Sequence, residues 1–526
     1  MDRGKTVSRP RKGTLSKTEN ASMNTSPMNG NFGMKAPSEG ADPQRWRMLH
    51  FTWGAFFLTF LVWFNLAPFA STIGRVFHLS AEQIKTLLIC NVALTIPARI
   101  GVGMLVDRFG PRRVFTALLL IMSVPCLLFA MATSFWQLVV LRLAISCIGA
   151  GFVVGIRLVG EWFSPREIGL AEGIYGGLGN FGMFAATFGL PMLALLFSPE
   201  NGWRWSIAIS GMLCIVWSFI FYRNAVDAPP GTEFKKPKKK GALEVCSRRD
   251  LISLMVMQVP MVFCLGVLTW KLVAVKLLPS VASYVIYTLL AMLLLQQVRK
   301  IWTVNRPAWR NEPVADGERY DFSQVAILCL CYAVTFGGEL AVESMLPGYF
   351  EKMFKLSVAS AGFLSAGFTF ASLVARPLGG WMGDRIGRRP IMIVALGGSA
   401  LGYVAISLIN SQWSIYAAGA VVVLVGLFLM AANGAAFAVA PLIRKPLTGQ
   451  ITGLIGAYGN VGSVLFLFVL TLRKETFFFY TMAFVGVAAF AACFLIREPV
   501  AIQRKSRVAL PAKELSVDGF NVEPAL

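Results

Sequence analysis

Charge is scarce in this chain. Asp, Glu, Lys and Arg together make up 14% of its 526 residues, where a soluble globular chain carries about 25%. So little polar surface cannot coat a water-soluble particle of this size. That excludes a soluble enzyme and a disordered scaffold. Histidine is scarcer still: His50 and His78 are the only two, so no histidine-based metal or catalytic centre is readable. The nine cysteines, among them Cys90, Cys147, Cys214 and Cys331, are scattered through apolar runs without a CxxC pair. They read as small buried hydrophobes, which excludes a disulfide-rich secreted domain and a zinc cluster. No nucleophile–base pair or phosphate loop is readable, so the expectation is no enzyme and no cofactor.

What is abundant is apolar sequence. Hydrophobic residues make up 56% of the chain and the mean hydropathy is +0.63. The apolar residues come in runs of about 20, the length that spans a bilayer as a helix. The fold class is therefore an all-α membrane protein. A polar tail, 1–46, is too polar to fold alone. An N-terminal six-helix bundle occupies 47–225, with spans at 50–77, 84–106, 113–133, 136–160, 168–197 and 203–224. A central loop, 226–322, carries an inserted helix pair at about 251–270 and 281–297. A second six-helix bundle fills 323–497, with spans at 323–348, 358–382, 390–410, 413–440, 449–472 and 476–496, and 498–526 is a second tail.

The net charge of +22 does not indicate a nucleic-acid partner. The basic residues lie in short loops and tails, as they do when they orient a membrane protein. Arg108, Arg112 and Arg113 share a side with Arg166, Lys235, Lys236, Arg385, Arg388 and Arg389, whereas the loops Thr133–Gln137 and Asn410–Trp413 carry no charge. Both termini are expected in the cytoplasm of a multi-pass protein of the cell membrane.

One string occurs twice. Gly103–Arg113 reads GMLVDRFGPRR and Gly379–Arg389 reads GGWMGDRIGRR, each ending the second span of its half. This resembles the loop motif of the major facilitator superfamily. The resemblance implies two six-helix bundles related by a pseudo-twofold repeat, here with two helices inserted. It also implies a gating motif at Asp107, Arg108, Arg112, Asp384, Arg385 and Arg388, in which an Asp pairs with an Arg across the bundle. A substrate site between the two repeats follows the logic of that fold.

A second pair narrows the resemblance. Gly176–Gly182 reads GGLGNFG and Gly456–Gly462 reads GAYGNVG. With TFGGEL at Thr335–Leu340, FASLVARPLGG at Phe370–Gly380 and AANGAAFAVAP at Ala431–Pro441, they are similar to the nitrate/nitrite porter family. GIRLVGEWF at Gly155–Phe163 looks most like its bacterial and cyanobacterial nitrate permeases. Gly177–Gly182 also fits GxGxxG, but no strand precedes it, so a dinucleotide site is rejected.

Arg99 and Arg376 lie eight residues before Asp107 and Asp384, a helical rise of about 12 Å that sets both near mid-membrane. A charge there costs about 2.5–3.5 kcal/mol, and no acid lies three or four residues from either arginine. Two facing cations repel until an anion lies between them, and a guanidinium fork suits an oxyanion. In the family the matching arginines bind nitrate or nitrite. Asn180 and Asn460 can donate to an anion or hydrogen-bond another helix. The resemblance places them in the site with Gly179, Gly182, Gly459 and Gly462, while glycines at this spacing also let helices approach closely. It further places Phe152, Tyr332 and Phe336 around a flat anion.

Glu339, or Glu343 one turn later, can carry a coupling proton; Glu343 can equally be hydrated at the external mouth. Arg157 and Glu161 have the i, i+4 spacing of an ion pair, structural or gating. The expected function is a secondary active transporter importing nitrate and nitrite by proton symport with alternating access. Nitrate/nitrite exchange fits the same arginines. A transporter-like nitrate sensor or scaffold is the alternative of another class. The expected partners are the anion, protons and the lipid bilayer, and a monomer suffices.

Overall fold

Backbone in hydrocarbon must satisfy its own hydrogen bonds, and a long apolar run does so as helix. The computed structural model describes residues 43–497 except 198–199, 240, 275, 316–317 and 357; the tail 498–526 and nearly all of the tail 1–46 lie outside the described residues. Among the described residues, fourteen helices are long and apolar enough to cross a membrane. They are α1 (Pro43–Val76), α2 (Ala81–Phe109), α3 (Pro111–Ala130), α4 (Phe135–Trp162), α5 (Ile168–Ala194), α6 (Gly202–Asn224), α7 (Arg248–Ala274) and α8 (Ser280–Val304). The second half adds α9 (Phe322–Phe354), α10 (Ser360–Ile386), α11 (Arg388–Ser407), α12 (Ile415–Ile443), α13 (Lys445–Leu472) and α14 (Glu475–Cys493).

Several helices outrun their apolar cores. α1 begins at Pro43, inside the expected tail, and α7 and α8 exceed 251–270 and 281–297 at both ends. Hydropathy marks only the part of a helix that suits lipid, whereas caps and backbone bonds decide where the helix stops. Ser80, Ser134 and Ser247 supply such caps, accepting from the N–H groups of Gln83, Gln137 and Asp250. Between α2 and α3, and again between α10 and α11, a single glycine reverses the chain. Gly110 has φ +87° and Gly387 φ +120°, values that side chains disfavour, so each copy of the loop motif needs its glycine.

The packing repeats as the sequence does. α1 packs on α5 as α9 packs on α13, and α3 packs on α6 as α11 packs on α14. Two seams join the halves, α2 against α13 and α5 against α10. Both close glycine to glycine. A Cβ on Gly380 would stand 1.9 Å from the Gly169 carbonyl oxygen, and one on Gly103 would stand 2.3 Å from that of Gly449. The inserted pair attaches through α7, which packs on α13, and Tyr458 donates to the Met257 carbonyl at 2.8 Å. Only 6% of the apolar core of α8 is buried, so that helix presents itself to the surroundings of the bundle.

The seams yield a stability prediction. Gly380→Val should destabilise the protein by about 1–3 kcal/mol and lower its melting temperature in detergent. Gly101→Val, where nothing lies within 4 Å of the new Cβ, should leave it unchanged. Equal melting of the two variants would show that the glycine contact does not set the seam.

Candidate functional site

Backbone irregularities position the first arginine. α2 breaks at Leu94, before Pro97, whose missing N–H cannot return a bond to the preceding turn. The resumed segment Thr95–Phe109 carries Arg99, fully buried. Its Nε donates to the Gly149 carbonyl at 3.2 Å and its Nη1 to the Gly456 carbonyl at 2.6 Å. Gly149 lies where α4 tightens into a 3₁₀ turn, Cys147–Ala150, and Gly456 lies on α13, across the seam. The guanidinium stands 4.9 Å from the Phe336 ring centre, 5.8 Å from Trp63 and 5.9 Å from Phe152. Among the described residues its Nη2 has no partner.

Arg376 differs, and here the expectation of two uncompensated cations is corrected. Its Nη2 donates to Glu339 Oε2 at 2.6 Å, both groups being buried. The acid sits on another helix, so spacing along α10 could not reveal it. The same Oε2 accepts from Asn433 Nδ2 at 3.0 Å, and Oε1 accepts from Asn180 Nδ2 at 3.0 Å. The repeat explains the asymmetry. Gly182 and Gly462 face the carbonyls of Phe57 and Ala333, which makes those two residues equivalent. Six positions on stand Trp63 and Glu339. Thus Arg376 faces a carboxylate where Arg99 faces an indole.

Of the remaining expected residues, Phe152 and Phe336 flank Arg99, Tyr332 lies near both arginines, and Asn180 bonds Glu339. Asn460 is fully buried with neither amide atom partnered. Asn180 Oδ1, Asn433 Oδ1 and Arg376 Nε are likewise buried without partners. The Tyr332 ring is parallel to Phe336 (centres 5.0 Å apart, 5° between planes) and to Phe152 (6.2 Å, 3°). Its hydroxyl is buried near both arginines. The signature glycines serve contacts. Gly179 meets Phe56, Gly459 meets Tyr332 and Phe336, and Gly182 and Gly462 meet the backbones of α1 and α9. Gly176 and Gly456, not expected as site residues, are the ones against the Arg376 and Arg99 side chains.

The loop motif forms a second layer at one end of the seams. Asp107 accepts from the N–H groups of Gly449 and Gln450, both at 2.8 Å. Asp384 accepts from those of Gly169 (2.9 Å) and Leu170 (2.8 Å). Each carboxylate so holds the first turn of the opposite half's signature helix, where the helix dipole favours it. The Arg partners are not across the bundle as expected: Asp107 pairs with Arg157 at 3.0 Å and Asp384 with Arg388 at 2.8 Å, each within its own half. The cross-bundle link is carried by backbone amides, which no residue-type pattern displays. Arg157 also pairs with Glu161, and Glu161 with Lys445 at 2.9 Å. Arg112 ties to the end of α6 through the Tyr222 carbonyl (2.7 Å) and, by its N–H, to Asp227 (2.6 Å). Arg108 and Arg385 lie over Phe109 and Trp381, outside the seam bonds given above.

A basic residue at matching mid-helix positions of two repeats, and a doubled acid latch, make the site part of a repeat architecture. The sequence matches the Major Facilitator Superfamily over residues 52–303 and 328–520. The chain belongs to the major facilitator superfamily. Within it, the chain is 46% identical over 466 residues to the nitrate/nitrite transporter NrtP of Nostoc punctiforme, covering 86% of this chain and 93% of that one. The NrtP of Picosynechococcus is 41% identical over 498 residues, with the same coverage. Among solved structures, a double-tryptophan variant of XylE aligns with a TM-score of 0.62 at 14% identity, over 87% of this chain and 97% of that one. That likeness concerns the fold alone.

Membership does not account for every buried polar group. Asn433 and the ring of Phe437, perpendicular to both Phe152 and Tyr332, were not expected at the site; an amide within an apolar run was the available signal. Arg142 is buried too, its guanidinium held by the Asn65 and Asn91 amide oxygens (2.9 and 2.6 Å) and the Trp63 carbonyl. Glu172 on α5 is buried with both oxygens unpartnered.

Proposed function

We propose that this protein is a secondary active transporter that imports nitrate, and nitrite as a related anion, by alternating access with proton symport. The observation that carries the reading is the set of buried donor atoms without partners among the described residues, Arg99 Nη2, Arg376 Nε and Asn460 Nδ2, beside two buried guanidiniums of which only one, Arg376, is paired to a carboxylate, Glu339. These three ionised groups have a formal charge of plus one, which suits a single monovalent oxyanion. Buried unsatisfied donors are rare and call for a reason; a planar anion with three acceptors supplies one. The NrtP relatives are named for nitrate and nitrite, which supports the choice of anion. Glycine seams able to part and re-form, latched by Asp107 and Asp384, support alternating access. The distribution of basic loops supports a cytoplasmic position for the latched end and both termini.

Coupling follows from competition. An anion that takes Arg376 Nη2 displaces Glu339, and the displaced carboxylate, still facing Asn180 and Asn433, takes up a proton. Loaded and empty sites then carry the same charge, so one proton makes the crossing electroneutral. Bringing a bare anion into a negative interior costs about 2.3 kcal/mol per 100 mV, which one proton removes and a second would reverse. Glu343, whose Oε1 accepts from Thr369 at 2.9 Å and whose Oε2 is unpartnered, is the carboxyl placed for the second. Nitrate/nitrite exchange is the second reading. Its support is that Glu339 is already held by three donors and can serve as a fixed counter-ion.

The deciding experiment is nitrate uptake into proteoliposomes under an imposed inward proton gradient, with and without internal nitrite. Gradient-dependent uptake into nitrite-free vesicles is expected. Uptake only with internal nitrite would establish exchange instead, and nitrate binding without any flux would establish a sensor.

A further inference from the structure

The transport chemistry leaves the inserted helices unexplained, yet they enclose a cavity against the core. It measures about 140 Å³ and lies between α7, α8, the segment Gly241–Leu243 and the α2–α13 seam. Ile100 of α2 and Leu454 of α13 line its apolar side, so both halves of the transporter form its wall. Its polar side gathers Gln296, Gln297 and Lys300 of α8 and Gln450 of α13.

Gln258 of α7, which also lines the cavity, is satisfied by the Leu254 carbonyl at 3.0 Å; the other polar groups are not. Among the described residues, Gln296 and Gln297 make no side-chain hydrogen bond and Lys300 no ion pair, and Gln296 and Lys300 are exposed, so all three are open to a ligand. Gln450 is 8% exposed and its Oε1 is unpartnered. Lys300 stands four residues before the end of α8, about 6 Å along the axis, so a headgroup at that end of the helix is within its reach. The groups form a composite: a cation for a negative charge, amides for hydroxyls, an acceptor that needs a donor, and an apolar floor for a tail. The backbone N–H of Gln450 is at the same time one of the two cross-seam donors to Asp107, at 2.8 Å. Whatever touches the Gln450 side chain touches the latch.

We propose that this cavity binds a membrane lipid with an anionic, hydroxyl-bearing headgroup, and that the bound lipid holds the α2–α13 seam closed. The inserted pair then serves as a clamp that the membrane's composition loads. The effect on rate rests on the transport reading above; the binding does not.

The test uses the full chain and phosphatidylglycerol as probe. Native mass spectrometry of the protein should show phosphatidylglycerol retained in preference to phosphatidylcholine. Lys300→Gln should weaken that retention about fivefold, as for one basic residue at an anionic surface. Gln296→Leu/Gln297→Leu/Lys300→Gln should abolish the preference, and Leu293→Trp, which fills the cavity from α8, should do so without removing a polar group. Uptake by the wild type should slow as phosphatidylglycerol replaces phosphatidylcholine in the vesicles, and uptake by the triple variant should not. Equal retention by wild type and both multiple and cavity-filling variants would overturn the site. Competition by free glycerol 3-phosphate as strong as by the lipid would overturn the lipid as its occupant. Retention with no slowing would overturn the clamp.

Discussion

Arg99→Lys should abolish high-affinity nitrate binding and leave the fold intact, whereas Arg376→Gln should damage both. The difference lies in what each guanidinium faces. Arg99 donates to two carbonyls, of Gly149 and Gly456, and lies among the rings of Trp63, Phe152 and Phe336. An ammonium can keep one of those neutral bonds and the charge. It cannot present a planar fork to an oxyanion. A hydrogen bond to a charged group contributes about 1.5–3 kcal/mol, so the loss of one or two corresponds to an affinity lower by about 10-fold to well over 100-fold. Calorimetric titration of the purified variant with nitrate measures this, and near-native affinity would remove Arg99 from the site.

Arg376→Gln meets a second problem. It strips the cation from Glu339, leaving a carboxylate buried between Asn180 and Asn433. Breaking one partner out of a buried ion pair destabilises by about 3–5 kcal/mol. Folded yield and melting temperature should fall with transport. Adding Glu339→Gln should restore the fold and not the transport, because the uncompensated charge is gone while the fork is still missing. Failure of the double variant to recover melting temperature would mean that Arg376 stabilises α10 by packing and not by pairing.

This contrast also marks what the sequence could and could not disclose. Arg99 and Arg376 were legible because a charge in an apolar run is expensive, and their equivalence was legible because Asp107 and Asp384 follow each at the same distance. The fourteen spans and the fold class were legible from run length and the doubled string. Their ends were not, since caps such as Ser247 extend helices past the apolar core. The Glu339–Arg376 bond was illegible because the two residues are 37 positions apart on different helices, and no period links them. The latch was half legible: its acids were evident, but their cross-bundle partners are the backbone N–H groups of Gly169, Leu170, Gly449 and Gln450, and every residue has such a group. Asn433 was within reach, an amide inside the apolar stretch Ala431–Pro441. The signature glycines carried two readings, close helix approach from their spacing and site membership from resemblance; most of them face neighbouring helices, because a glycine's contact is set by the helix it meets and not by its own side chain.

Glu339→Gln should separate accumulation from exchange. The amide is nearly isosteric and keeps one acceptor oxygen for Arg376, so the α9–α10 contact survives. It cannot release or take up a proton, and it removes the negative charge that competes with the anion for Arg376. Two consequences follow with opposite signs. Nitrate should bind more tightly, because its approach to Arg376 no longer displaces a carboxylate. Uptake driven by an inward proton gradient should fall to the level of vesicles without a gradient. Exchange of external nitrate for internal nitrite, in which an anion leaves as one enters, should persist. The paired measurement is therefore gradient-driven and nitrite-loaded uptake in the same vesicle preparation. Loss of both modes would make Glu339 part of the anion's binding shell. Retention of proton-driven uptake would shift the coupling to Glu343, where Glu343→Gln should then abolish it.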